Sequence, residues 1–164
     1  MSDRGYSGGG TPVGVVLAVR KSADESVTNS SVLQDDDELS VVLPASSSWI
    51  VRVVMFAVAA ASNSPDLQFQ LTGPSGATAV LGKHGLDTGA TSTAGTPRYT
   101  GAQAFSSNAT NALMTGATMV VLEGSVVIGS TAGAVTLQWA QSSATPAEAI
   151  TMKAGSYISF MRIA

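Results

Sequence analysis

At 164 residues and with no cysteine, the chain is long enough to bury a core unaided, and a disulfide framework, a thiolate nucleophile and Cys-based zinc sites are excluded. A net charge of −3 and a pI near 4.9 argue against a nucleic-acid binder, which needs a basic patch; Arg20-Lys21 is the only adjacent basic pair, and Asp24 and Glu25 follow it. Only 12% of the residues are charged, half the usual share, which is hazardous for a free monomer and suits a surface covered by other subunits.

Residues 1–12 read as a Gly/Ser arm with no core-forming content, carrying Tyr6 and the run Gly8-Gly9-Gly10. It lacks the basic lead-in of a secretory signal, so assembly in the cytoplasm is expected. Residues 13–164 read as a single domain. Val13 to Val19 is a strand, Glu25 to Leu33 a weaker extended stretch, and Gln34-Asp35-Asp36-Asp37 a turn, because Asp carboxylates bond nearby backbone N–H groups. Leu39, Val41 and Leu43 make the next strand, which Pro44 ends.

The strand at 49–61 is the most informative segment. Trp49, Val51, Val53 and Met55 alternate to one face and Ile50, Val54, Phe56 and Val58 to the other, so both faces are apolar and the second needs a cover of its own. This run is too short to span a membrane as a helix and includes Arg52. Leu67, Phe69 and Leu71 alternate with Gln68, Gln70 and Thr72 in a half-buried strand. Gly73-Pro74-Ser75-Gly76 then predicts a tight turn, with residues 77–82 returning as the second strand of a hairpin.

Residues 85–116 lose the rhythm and read as an extended loop rich in Gly, Ala, Thr and Ser, with Phe105 among its few apolar residues. Strands resume at 119–128, at Val135, Leu137 and Trp139, and at 150–152 and 156–163. No helix pattern of three turns appears. The spacing predicts an all-β fold, an antiparallel two-sheet sandwich of jelly-roll type.

Catalytic signals are weak throughout. Asp35-Asp36-Asp37-Glu38 lacks the spaced ligands of a calcium loop and reads as a solvated turn. His84 is the only histidine and no Gly-x-Ser-x-Gly elbow accompanies it, so an exposed loop histidine is the reading. Gly76 to Lys83 has five residues between its glycines where a phosphate loop needs four. Glu123 and Glu148 are paired carboxylates only in principle, and each reads as a surface or interface group. Residues 88–147 carry only two charged residues, Arg98 and Glu123, as an interface core does.

Five pieces of the chain together resemble a family of small structural proteins of tailed bacteriophage virions. They are Arg20 to Ser26, Leu33 to Leu39, Leu67 to Ala77, Leu137 to Gln141, and Ala154 to Ile158, within residues 18–163. The resemblance implies a jelly-roll-like module that trimerises and decorates the head or forms part of a fibre; it carries over no catalytic residue. The expectation is a non-enzymatic capsid decoration protein on the outer surface of the head. Its partners would be itself, as a homotrimer, and the major capsid protein, with no nucleic acid, membrane, cofactor or metal. The alternative is a tail-fibre or receptor-binding module contacting host glycans. Tyr6, Gly8, Gly9, Gly10, Trp49, Val51, Val53, Met55, Phe105 and Trp139 are the expected subunit or capsid contacts.

Overall fold

A computed structural model describes residues 12–60, 65–86, 97–113, 117–146 and 148–164. Every regular element among them is a strand: β1 (Val16–Arg20), β2 (Glu25–Thr28), β3 (Gln34–Leu43), β4 (Ser47–Ala59), β5 (Leu67–Thr72), β6 (Thr78–Leu86), β7 (Pro97–Gln103), β8 (Ala109–Asn111), β9 (Thr118–Ile128), β10 (Gly133–Gln141), β11 (Ala149–Met152) and β12 (Tyr157–Arg162). They form two antiparallel sheets. The larger runs β1-β12-β4-β9-β6-β7, with β11 pairing both β2 and the end of β4; the smaller runs β3-β10-β5-β8.

The pairing is nested. β1 lies beside β12, β3 beside β10, β4 beside β9 and β5 beside β8, so the first half of the chain runs antiparallel to the second half along its whole length. From the β2–β11 pair inward, successive stretches of that ribbon fall alternately in the two sheets, which makes the sandwich jelly-roll-like. The β6–β7 hairpin is the innermost pair, where the ribbon turns back, and it lies at the β9 edge of the large sheet.

The core fills the space between the sheets. Trp49, Val51, Val53 and Met55 of β4 meet Leu39, Leu43, Phe69, Leu71, Leu137 and Trp139 there, and all are essentially without exposure. Trp49 packs edge-on against Phe160 with ring centroids 6.4 Å apart, and its indole N–H donates to Ser47 Oγ at 2.7 Å. An aromatic ring buried with its polar atom satisfied loses nothing to desolvation. On β9, Gly124 lets β6 come close, because a Cβ there would stand 2.1 Å from the Val80 carbonyl oxygen.

Four expectations change. The 73–76 turn is present, with Ala77 N–H donating to Pro74 O at 3.0 Å, but it carries the chain from one sheet to the other. Turn residues specify a reversal and leave the choice of strand partner to the core. Residues 35–37 lie inside β3, not in a turn. The anticipated bonding by Asp occurs all the same: Asp36 Oδ1 accepts from the N–H groups of Glu38 and Leu39, where the β3–β10 register shifts. The result is a bulge within the strand. The third change is that the stretch 85–116 contains the end of β6, β7 and β8. His84 accordingly sits on β6 and not in a loop.

Candidate interaction surface and the ionic cluster

The outer face of the large sheet is built by the second set of β4 side chains and their cross-strand partners. One register row runs straight across five strands: Val16 of β1, Met161 of β12, Ile50 of β4, Ser125 of β9 and Val80 of β6. At the usual strand spacing such a row is about 19 Å long. Its four apolar members are 40–65% exposed, and Val127, on the same face of β9, is 47% exposed. Met119, opposite Phe56, adds a further exposed side chain.

The neighbouring row is Ala18, Ser159, Arg52, Glu123 and Gly82. Glu123 stands 3.2 Å from His84 Nε2 and 4.0 Å from Arg52 Nε, all three side chains half in solvent. The structure thus brings together two residues that the sequence offers as separate catalytic candidates. They lie on a flat, open sheet face. Such exposed pairs contribute little to stability, typically under about 1 kcal/mol.

The outer face of the small sheet is different. Gln70 donates to Gln138 at 2.7 Å and Gln138 to Asp35 at 2.7 Å; the Ser40 and Thr136 hydroxyls share a bond of 2.7 Å. Those polar groups satisfy one another across three strands. The small sheet exposes Val42 alone among its large apolar side chains, so of the two broad faces the large sheet carries most of the exposed apolar surface.

This placement corrects the expected contacts. Trp49, Val51, Val53, Met55 and Trp139 have no exposure in a single copy, because they point between the sheets, so they have no surface to offer a neighbour. The face of β4 left for a partner is the Ile50 face. Phe105 is half-buried, its ring lying where a Cβ on Gly73 would be 2.9 Å away, so it too is engaged within the fold. Tyr6, Gly8, Gly9 and Gly10 lie outside the described residues. Between the sheets, the crevice bordered by Phe69, Leu81, Ala109 and Leu122 has no room for a water molecule.

A second constellation sits at the edge where β1 and β3 meet. Lys21, directly after β1, is 1% exposed, and its Nζ lies 3.0 Å from both oxygens of Asp36, whose side chain is fully buried. Glu25 Oε2 is 2.5 Å from the same nitrogen. Trp139 Nε1 donates to Asp36 Oδ2 at 3.0 Å. Burial alone would lower the Lys21 pKa, but hydrogen bonds and charge from Glu25 and Asp36 outweigh it and hold the ammonium above its ordinary value.

Two exposed carboxylates clamp the flanking loop. Glu38 accepts from the N–H groups of Ser22 and Ala23, and Asp24 accepts from Ala154 N–H and pairs with Lys153. Hydrogen bonds from Ser22 lower the Glu38 pKa, and that from Lys153 lowers the Asp24 pKa. The carboxylates of Asp35, Asp36 and Glu38 therefore turn to separate partners and do not converge on one point. Sequence reasoning missed this cluster. Its signal was available, since the two charged pieces quoted in the resemblance are the pieces that meet here.

No family model and no curated protein matches the chain. Among solved structures it is similar to one titled as infectious bursal disease virus Gt strain, at 13% identity and a TM-score of 0.18. That alignment covers 92% of this chain and 38% of the other, so the chain spans little more than a third of that protein's length, and a likeness this faint carries no argument about function.

Proposed function

We propose that the chain is a virion structural protein, a decoration or cement protein that trimerises on the outside of a phage head and braces the major capsid protein. The observation that carries this reading is the contrast between the two broad faces: one mostly polar and hydrogen-bonded across its strands, with Val42 its one exposed large apolar side chain, the other crossed by the Val16–Met161–Ile50–Val80 row. Burying the exposed part of each such side chain is worth about 1 kcal/mol, so these four with Val127 and Met119 of the same face together supply about 6 kcal/mol. Association costs at least about 4 kcal/mol, so one such face holds a second copy weakly. A closed ring gains by using the face on every subunit, and a lattice of many copies multiplies the effect. In this reading the row faces the threefold axis, where Ile50 and Met161 of three copies would meet. A protein that binds only the assembled shell stabilises it by mass action, and this work needs no catalytic group.

The test is the mass of the particle in solution. Native mass spectrometry and sedimentation velocity should show a trimer for the wild type and a monomer for Ile50→Asp. Both should give the same circular dichroism, because Ile50 is outside the core. Purified trimer should bind expanded heads, and Ile50→Asp should not. A wild type that stays monomeric at micromolar concentration, or an Ile50→Asp protein that still trimerises, overturns the reading.

A further inference from the structure

The buried cluster has the components of a bond-forming site, and this inference stands independently of the assembly reading. We propose that Lys21 and Asp36 condense spontaneously into an intramolecular amide, stapling the edge of the large sheet to the edge of the small one. The nucleophile, electrophile and proton carrier are already in contact. Lys21 Nζ is 3.0 Å from both Asp36 oxygens, which puts the carboxyl carbon within reach of the nitrogen lone pair. Glu25 Oε2, 2.5 Å from Nζ, is placed to take a proton from the ammonium and free that lone pair.

Attack on Cγ pushes negative charge onto an oxygen. Asp36 Oδ1 receives two backbone N–H groups, from Glu38 at 3.0 Å and Leu39 at 2.9 Å, an arrangement that stabilises an oxyanion. Oδ2, held by the Trp139 indole N–H at 3.0 Å, is the oxygen that leaves. The N–Cγ bond forms and the Cγ–Oδ2 bond breaks. Two of the three ammonium protons pass through Glu25 to the departing oxygen, which leaves as water. The third stays on the amide nitrogen, and Glu25 ends as it began. No oxidant or cofactor is required.

Two effects compete. The same donors that would hold the oxyanion also stabilise the resting carboxylate, and the ion pair keeps Lys21 protonated, so the reaction is slow. Against this, holding the partners in contact is equivalent to an effective concentration of about 10⁵–10⁸ M. The buried site also excludes the bulk water that would favour hydrolysis. Proximity wins, and the reaction follows folding.

Intact-mass measurement of the purified full-length protein decides the matter, taken on the folded protein until the mass no longer changes. The expected result is a mass lower by one water, with a branched proteolytic peptide joining Lys21 to Asp36 and no tryptic cleavage after Lys21. Glu25→Gln should keep the native circular dichroism and retain the full sequence mass. Lys21→Arg should also retain it, since arginine cannot form this amide. A wild-type mass that settles at the full sequence value overturns the proposal. So does a water loss that maps to a single unbranched peptide, which would be a cyclised Asp.

Discussion

Lys21 and Asp36 show how far one pair can depart from what its residue types suggest. A buried charge without a partner costs several kcal/mol, whereas here each polar atom of Asp36 has a donor. Removing one side of such a pair strands the other. Lys21→Met should therefore lower the unfolding free energy by about 3–5 kcal/mol in urea titration relative to Lys21→Arg, which keeps the charge and forms no amide, with the same slope for both variants. A loss below about 1 kcal/mol would mean that water reaches Asp36. Hydropathy could not foresee this burial, because a run of three aspartates reads as surface at any single position. The Ile50 face of β4 was legible in the sequence, since strict alternation sets both faces of the strand from the letters alone, but the row that continues it across the sheet was not.

At the scale of elements, the loop between β1 and β2 is pinned from both sides by carboxylates whose pKa values are depressed in the fold. Their contribution is complete above the ordinary values of 3.8 for Asp24 and 4.5 for Glu38, and it fades as pH falls through the lower folded values. Hydrogen exchange at the amides of Ser22, Ala23 and Ala154 should therefore stay protected from neutral pH down to that range and open below it. Asp24→Asn and Glu38→Gln should remove most of that pH dependence. Exchange that is equally slow in the variants would assign the protection to something else. The strands β4, β5, β9 and β10 were readable because apolar residues recur at every second position. β7 and β8 were not: β7 is Pro97-Arg98-Tyr99-Thr100-Gly101-Ala102-Gln103 and β8 Ala109-Thr110-Asn111, so neither shows an apolar residue at every second position. Asn111 is nevertheless wholly buried, with its side chain lying against Gly85.

For the whole molecule, the sequence announced two sheets but not which strand joined which. Local pattern records which side chains face inward and is silent on partners. That silence explains why the 73–76 turn reads as a hairpin when it crosses between sheets, as the connection from β9 to β10 also does. It also explains why the candidate contacts were assigned to the wrong side of β4: the sequence shows two apolar faces, and only the fold tells which one the molecule keeps for itself.

The nested ribbon has a consequence for how a cell makes this protein. Because β1 hydrogen-bonds to β12, the opening strand waits unpartnered until the closing one has left the ribosome. Pairings that join opposite ends of a chain are slow, so refolding should take milliseconds to seconds. A version cut before Tyr157 should stay unfolded by circular dichroism, with β4 stripped of a neighbour along half its length. The large sheet is thereby completed only once β12 has been made, and a chain lacking that strand has no finished outer face.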